Sequence, residues 1–286
     1  MLRSVVLLAI LWPSSALAGP WTRELWSYYA KVGADFYSAT GYVDPETGER
    51  KGGEYFGQQY GAYGEVGVSP GWPVQVSLLI PVSMGTATFR DEFRFGNSEG
   101  HATTTRLGDG RLAVQTSILR APAPLAIGAE LKLPLYSNGD VGEEFGQEYV
   151  VHFPFPGDGQ IDLTGWLLSG SSVPGAPMWF EWGIGYRHRT EEFIGWNPDA
   201  TLVDSVVYRA LVGGALGPVL LMGLLDGNAN LEKDRFSREA LSAGPTILWT
   251  FWRGLALEGR LAWELEARNQ SKGFGFGFGL SYRDPA

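Results

Sequence analysis

The last segment of the chain alternates strictly between large apolar residues and small or polar ones. Residues 274–283 read FGFGFGLSYR. Successive side chains of a β-strand point to opposite faces, so a period of two places all the large apolar side chains on one face. The segment therefore predicts a strand with one apolar face, in a sheet that must present this face to an apolar environment.

The same alternation recurs upstream, with charged residues on the second face. In residues 255–266 one face is apolar and carries Leu255, Leu257, Leu261, Trp263 and Leu265, and the other face carries Glu258, Arg260, Glu264 and Glu266. In residues 26–36 the apolar face carries Trp26, Tyr28, Val32 and Phe36, and the other face carries Lys31 and Asp35. Ionised carboxylates are costly in hydrocarbon, so the charged face should point away from lipid. The pattern predicts apolar residues outside a barrel and charged residues inside it.

The chain begins with a secretory signal pattern. A short basic start is followed by an apolar run from Val5 to Trp12 and by a small-residue cleavage pattern, which predicts a signal peptide over residues 1–18 and a single mature domain over residues 19–286. This apolar run is shorter than the roughly 20 residues that a membrane helix needs. No later stretch approaches that length, so any membrane crossing must use strands.

About twelve segments alternate in this way, and an even strand number is typical of bacterial outer-membrane barrels. The segment 218–226 alternates poorly. The predicted strands are 26–38, 55–69, 73–86, 109–119, 125–136, 158–169, 178–190, 202–213, 218–226, 238–252, 255–267 and 274–283.

The connections alternate between short and long. The short ones, 70–72, 120–124, 171–177, 216–218 and 253–254, are rich in the Gly and Pro that tight turns favour. The long ones are 39–54, 87–108, 137–157, 191–201, 227–237 and 268–273. Short periplasmic turns and longer outer loops are typical of outer-membrane barrels, whereas a soluble sandwich has no reason to sort its loops.

These observations predict an all-β fold, namely a transmembrane antiparallel up-and-down β-barrel of about 12 strands in the outer membrane of a Gram-negative bacterium. A soluble periplasmic or secreted β-protein is the alternative. Aromatic residues near strand ends favour the membrane, because such rings prefer its interfaces. They are Trp26, Tyr28, Trp72, Trp179, Trp182, Trp249, Phe251, Trp252 and Tyr282. We expect a monomer in contact with outer-membrane lipid.

The predicted inner face carries charges of both signs. The candidate lumen-lining residues are Lys31, Asp35, Glu65, Arg111, Glu130, Lys132, Asp162, Glu181, Arg187, Arg209, Glu258, Arg260, Glu264 and Glu266. In a barrel of this size such side chains can line a narrow, selective channel, or they can pair into a plug that conducts little. The residues alone leave both possibilities open.

A Gly-Asp-Gly motif occurs twice, at 108–110 and 157–159, and each copy is predicted to open a strand after a long loop. Glycine gives the backbone freedom for a tight entry, and the aspartate can bond to nearby amides. The motif therefore predicts a repeated structural turn rather than a ligand site.

These openings, the segment PLAIGAELKLP at 124–134 and the Gly-aromatic final strand resemble the family called "MetA-pathway of phenol degradation". This family is similar to outer-membrane transporters of aromatic and other hydrophobic compounds. The resemblance implies a barrel that helps small hydrophobic molecules cross the outer membrane. No binding residue is carried over, because the matching motif is a turn.

Other functions receive weaker support. The net charge of −9 provides no basic stripe for nucleic acid, and without cysteine there is no disulfide or thiolate metal site. We expect no cofactor, no metal and no enzymatic activity, with His101 and His152 as solvated loop residues. An outer-membrane phospholipase stays an alternative, because His188 and Thr190 share the outward face. A structural or adhesive barrel that binds partners through outer loops such as 89–95 is another.

Overall fold

The computed structural model describes residues 20–43, 50–90, 99–120, 123–137, 156–193, 202–233, 237–268 and 270–284. The predicted signal peptide, residues 1–18, lies outside this part of the chain. Within it, no helix is long and apolar enough to cross a membrane.

The described residues form thirteen strands joined in one antiparallel sheet that closes on itself. The last strand pairs with the first, and the ring continues through the remaining strands without a parallel pairing between them. The strands are β1 (Tyr28–Val43), β2 (Arg50–Gly67), β3 (Val74–Arg90), β4 (Glu99–Leu107), β5 (Asp109–Leu119), β6 (Leu125–Pro134), β7 (Gln160–Ser172), β8 (Met178–Phe193), β9 (Ser205–Leu216), β10 (Val219–Asn230), β11 (Glu239–Trp252), β12 (Leu255–Arg268) and β13 (Ser271–Arg283).

Two of the thirteen strands occupy a single position in the barrel wall. The first half of β3 pairs with β5 and its second half pairs with β4, so β4 and β5 are one wall strand interrupted at Gly108. The amide of Gly108 donates to the carbonyl of Pro81 at 2.9 Å, at a point where proline has no amide to complete the ladder. The wall therefore has twelve positions, which confirms the predicted closed barrel of 12 strands.

The short turns are confirmed, and several of the long connections are shorter than predicted, whereas the one between β6 and β7 is longer. Much of the predicted loop 87–108 is strand, because residues 87–90 belong to β3 and 99–107 form β4, which also places His101 on a strand. Likewise, β12 extends to Arg268 and β13 begins at Ser271, so almost none of 268–273 is loop. Several strands extend beyond the predicted ends into the polar long-loop side, where alternation of hydrophobicity is no longer required.

The two faces of the wall differ in the expected sense. Leu257 and Trp263 on β12 expose 47% and 44% of their surface, whereas Glu264, the residue after Trp263, exposes 6%. The same contrast holds on β1, where Val32 is exposed and Asp35 is buried. Apolar side chains therefore cover the outside, and charged side chains fill the inside.

Candidate lumen

Paired charges occupy the middle of the barrel interior. Lys31 on β1 contacts Glu258 on β12 at 2.6 Å. Arg260 on β12 forms a second ion pair between the same two strands, with Asp35 on β1, also at 2.6 Å. Strand β13, which runs between β1 and β12, carries only glycine or serine on its inner face at this level, so these long side chains meet across it.

A second group of charges lies on the opposite part of the wall. Arg111 on β5 contacts Glu130 on β6 at 2.9 Å. Further along, the guanidinium carbon of Arg209 lies 5.6 Å from the ring centre of Trp166. Arg187 and Glu181 complete this group on the inner face of β8, which alternates with the exposed Trp182, Ile184 and Tyr186.

Both Gly-Asp-Gly motifs contribute to one buried cluster around Lys132. Its ammonium nitrogen lies 2.6 Å from Asp158, 2.8 Å from Asp162 and 3.8 Å from Asp109. Arg189 contacts Asp158 at 2.5 Å and Asp162 at 3.1 Å. We call these five residues the Lys132 cluster.

The prediction of a repeated turn is therefore wrong for the first motif. Residues 108–110 lie inside the barrel wall, at the junction of β4 and β5, and not after a long loop. Only the second motif follows a long connection, the one between β6 and β7. A side chain at Gly157 would collide with Tyr136 and Asp109, and the amide of Gly159 donates to the Tyr136 hydroxyl at 2.7 Å. The glycines thus let the chain before β7 pack against the inner wall.

The electrostatic environment of Asp158 favours its ionised form. Burial raises the pKa of Asp158, but the adjacent Lys132 and Arg189 cations lower it by more, and the resulting pKa lies well below the usual range. The carboxylate also accepts a hydrogen bond from the amide of Gln160 at 3.2 Å. Asp158 therefore remains ionised at neutral pH and fastens the end of the β6–β7 loop inside the barrel.

Glu264 forms a further buried group near the long-loop end. It accepts hydrogen bonds from the Tyr37 hydroxyl at 2.5 Å, the Gly273 amide at 2.8 Å and the Gln270 side chain at 3.2 Å. Glu264 joins β12 to β1 and β13 through these bonds. Its carboxylate therefore has a positioning role in the wall.

Glu266 is the one candidate that does not face inward. Leu241 pairs with Glu266 and Ser242 pairs with Glu264, so an extra residue, Leu265, sits between them in a bulge. Leu241 belongs to the outer face, and Glu266 is exposed beside it. Strict alternation along β12 predicts the inner face for this residue, and the bulge reverses its orientation.

The inner face also carries an apolar strip that the charge pattern does not predict. On β9–β11, Leu211 pairs with Leu224, and Leu220 pairs with Leu248. These residues share the face of Asp226, whose carboxylate accepts a hydrogen bond from the buried Ser242 at 2.9 Å. All members are half-buried. The apolar strip consists of Leu211, Leu220, Met222, Leu224 and Leu248.

This strip explains why the segment 218–226 alternates poorly, since both faces of β10 are apolar. Trp179 adjoins it from the inner face of β8, where its ring covers Gly213 so closely that any side chain there would collide with it. Trp179 was expected among the interfacial aromatics, but it shares the face of Glu181, inside the barrel. The poor alternation of segment 218–226 was therefore the sequence signal that could have indicated the apolar strip.

The residues before β1 run inside the barrel at the short-turn end. Pro20 is fully buried, and its carbonyl accepts a hydrogen bond from Ser117 at 3.1 Å. The Thr22 hydroxyl lies 2.9 Å from the same serine hydroxyl, and the Arg23 guanidinium contacts Glu65. We call residues Pro20–Leu25 the inner segment. No sequence pattern predicted it.

On the outside of the barrel, His188 has an acidic neighbour. Its Nδ1 lies 3.1 Å from Asp204, whose carboxylate also accepts hydrogen bonds from the Tyr186 hydroxyl and from the Arg189 amide. Thr190, however, donates its hydroxyl to the carbonyl of Ile161 at 2.7 Å. His152 falls outside the described residues. Among those described, no group of three or more His, Asp or Glu side chains is arranged to hold a metal ion.

The closed wall, its apolar outer surface and its charged interior define an outer-membrane β-barrel protein. No protein-family model and no curated protein matches the chain. Solved structures do. The COG4313 outer-membrane channel from Pseudomonas putida F1 is similar with a TM-score of 0.66 and 10% identity, over 91% of this chain and 96% of that one.

Two further structures are similar to a lesser degree. The translocator domain of the autotransporter NalP from Neisseria meningitidis has a TM-score of 0.50 and 13% identity, over 90% of this chain and 88% of its own. The toluene transporter TodX from Pseudomonas putida has a TM-score of 0.46 and 8% identity, over 99% and 100%. The likeness to the COG4313 channel and to the NalP translocator domain shows the fold alone, and this fold is the one that the family resemblance implied.

Proposed function

We propose that the protein is a passive outer-membrane channel for small hydrophobic molecules, aromatic compounds among them. The apolar strip is the observation that carries this proposal. A similar structure, the COG4313 protein, is an outer-membrane channel. The channel works as a monomer and without a cofactor or a covalent step.

The strip matters because a purely hydrophilic pore gains nothing from leucine and methionine on its inner face. Such residues are half-buried, so part of each side chain borders the interior space. An apolar solute that leaves water against them gains roughly 25 cal/mol for each Å² of apolar surface removed from water. The strip thus offers an apolar solute a favourable path, while the paired charges on the other walls hold the barrel together.

Ion current through single molecules in planar bilayers tests this function without relying on the permeability of the lipid to the solute. We expect a steady current that a neutral aromatic such as benzyl alcohol reduces reversibly, because the solute occupies the strip. A pentose of similar size should reduce the current less at equal concentration. A barrel that carries no current, or that both solutes block equally, would contradict the proposal.

Phospholipase activity is the second candidate, since Asp204 supplies the orienting carboxylate that such an enzyme needs for His188. Thr190 does not supply the third group of this arrangement, because its hydroxyl donates to a backbone carbonyl and not to the histidine. We therefore propose that His188 and Asp204 fasten β8 to the β8–β9 connection without a catalytic role.

A further inference from the structure

The turn between β11 and β12 has an arginine at a position where the backbone favours glycine or asparagine. The turn consists of Arg253 and Gly254, whose φ angles are +31° and +85°. Most side chains are strained at positive φ, so two-residue hairpin turns of this kind favour asparagine or glycine at their first position. In the turn between β9 and β10 that position is Gly217, with a φ of +60°. The backbone conformation therefore does not explain Arg253, which indicates a role for its side chain.

A second arginine lies beside this turn. The amide of Arg283, at the end of β13, donates to the carbonyl of Gly254 at 2.9 Å. A side chain at Gly254 would collide with the carbonyl of Arg283, so the glycine lets the two backbones approach each other. Arg253 and Arg283 are both exposed. Among the described residues neither guanidinium forms an ion pair, not even with the neighbouring Asp284. Two cations without a protein partner are thus neighbours at the short-turn end of the barrel.

Aromatic side chains place these arginines at the level of the lipid headgroups. Trp252 is 59% exposed and Tyr28 is 44% exposed, and the rings of Tyr28 and Tyr282 lie 5.7 Å apart on β1 and β13. Exposed tryptophan and tyrosine prefer the interface between hydrocarbon and water. Outer-membrane barrels direct their short turns to the periplasm, so this interface belongs to the periplasmic leaflet. We call Arg253, Arg283, Tyr28, Trp252 and Tyr282 the arginine corner.

The charge of the short turns favours an anionic partner. The chain has a net charge of −9, yet the five short turns contain no carboxylate, and their charged residues are Arg120 and Arg253. Arginine binds phosphate through two parallel hydrogen bonds, and basic residues at a membrane surface attract anionic lipids. An anionic phospholipid therefore matches the arginine corner in charge, through its phosphate, and in polarity, through its acyl chains.

We propose that the arginine corner binds an anionic phospholipid, such as phosphatidylglycerol, of the periplasmic leaflet. The two guanidinium groups contact the phosphate, and the aromatic rings contact the glycerol and the first part of the acyl chains. The bound lipid joins the turn between β11 and β12 to the seam at which β13 pairs with β1. The corner lies at the rim of the barrel, so this role is separate from passage through the lumen.

Native mass spectrometry tests the site through the lipids that the purified protein retains. The protein is incubated in detergent with equal amounts of phosphatidylglycerol and phosphatidylcholine that have the same acyl chains. We expect the wild type to retain phosphatidylglycerol in preference. Arg253→Asn and Arg283→Gln should each reduce this preference about fivefold. The control, Arg120→Gln, removes an exposed arginine of another short turn and should keep the wild-type preference.

Inorganic phosphate distinguishes a lipid site from a site for a free anion. At the concentration of the lipid it should not displace phosphatidylglycerol, because it lacks the apolar part that the aromatic rings contact. Displacement by inorganic phosphate at equal concentration would show that the corner binds any phosphate, and it would overturn the proposal.

Urea unfolding in lipid vesicles separates lipid binding from a structural role of Arg253. Asparagine is favoured at positive φ, so Arg253→Asn should be at least as stable as the wild type in vesicles of phosphatidylcholine. Vesicles that contain phosphatidylglycerol should raise the urea midpoint of the wild type more than that of the variant. A variant that is less stable than the wild type by the same amount in both kinds of vesicle would show a structural role only and would overturn the proposal.

Three results of the lipid competition would also overturn it. They are equal retention of the two lipids by the wild type, an unchanged preference in both Arg253→Asn and Arg283→Gln, and a loss in Arg120→Gln as large as in these variants. A barrel that carries no current but still prefers phosphatidylglycerol would support the lipid site and contradict the channel function alone.

Discussion

Asp109 and Asp158 are 49 residues apart in the chain, yet both carboxylates approach the ammonium of Lys132, at 3.8 and 2.6 Å. Asp162 approaches the same nitrogen at 2.8 Å. A single lysine, with Arg189 beside it, therefore compensates three carboxylates inside the barrel. The strands β5, β6 and β7 are joined through this one side chain.

Replacing Lys132 should destabilise the barrel strongly. Lys132→Met leaves buried carboxylates without their nearest cation, and breaking a buried ion pair from one side costs about 3–5 kcal/mol. Urea unfolding in lipid vesicles, followed by gel mobility, measures the free energy of unfolding. Lys233→Met, on an exposed lysine of the β10–β11 connection, is the control and should change it little. Equal effects from the two variants would contradict the assigned role of the cluster.

The convergence of these carboxylates on Lys132 is a feature of the interior that the sequence did not predict, although it predicted the strands that carry them. Strands and faces follow from alternation, because one face must be apolar. Which residues meet inside the barrel depends on the register of neighbouring strands, and the bulges at Gly108 and Leu265 change that register without any signal in the hydrophobic pattern. The Lys132 cluster and the position of Glu266 were therefore not predictable.

At β4 and at β10 the structure differs from the sequence-based prediction for a related physical reason. Residues 99–107 are polar on both faces because β4 extends towards the long-loop end, so the pattern resembled a loop. The apolar strip makes both faces of β10 apolar, so alternation disappears although the strand is regular. Alternation thus assigns the inner and outer faces of a strand where these differ in polarity, and it cannot assign them where both faces are alike.

The stability of the barrel should depend on acid pH through Asp158. Its folded-state pKa lies below the unfolded value of about 3.9, so its contribution is complete above that value and is lost as the pH falls through the folded pKa. We expect no loss from this group between pH 8 and 5, and a decline below about pH 4. Urea unfolding across this range measures it. Asp158→Asn should flatten the acid limb, whereas Glu192→Gln, on an exposed residue, should leave it unchanged.

A charge placed on the apolar strip should impair passage of aromatic solutes. Leu224 faces Leu211 at the centre of the strip, and Leu224→Asp removes an apolar contact worth about 1–2 kcal/mol. The concentration of benzyl alcohol that halves the ion current should therefore rise roughly tenfold. Leu224→Met keeps an apolar side chain of similar volume and should stay near the wild-type value. An unchanged block in Leu224→Asp would show that solutes do not use the strip.

The packing of Trp179 over Gly213 gives a test of the inner wall near the strip. Gly213→Ala forces the indole ring to move, because a methyl group there would collide with it. Overpacking of this kind typically costs about 1–3 kcal/mol. The control is Gly223→Ala on the adjacent strand, where the nearest atom, on Val212, is 3.5 Å away and the methyl group fits. The free energy of unfolding in lipid vesicles should fall for the first variant only.

The enzyme alternative makes an opposite prediction, so it can be tested directly. Purified protein in mixed micelles should release no fatty acid from phospholipid, because Thr190 donates its hydroxyl to Ile161 and is not available to His188. The measurement pairs the wild type with His188→Ala, with and without calcium, and includes a known lipase as a positive control. Release that His188→Ala abolishes would establish a catalytic role. Release that persists in this variant would indicate a contaminating lipase, because the proposed site would then lack its base.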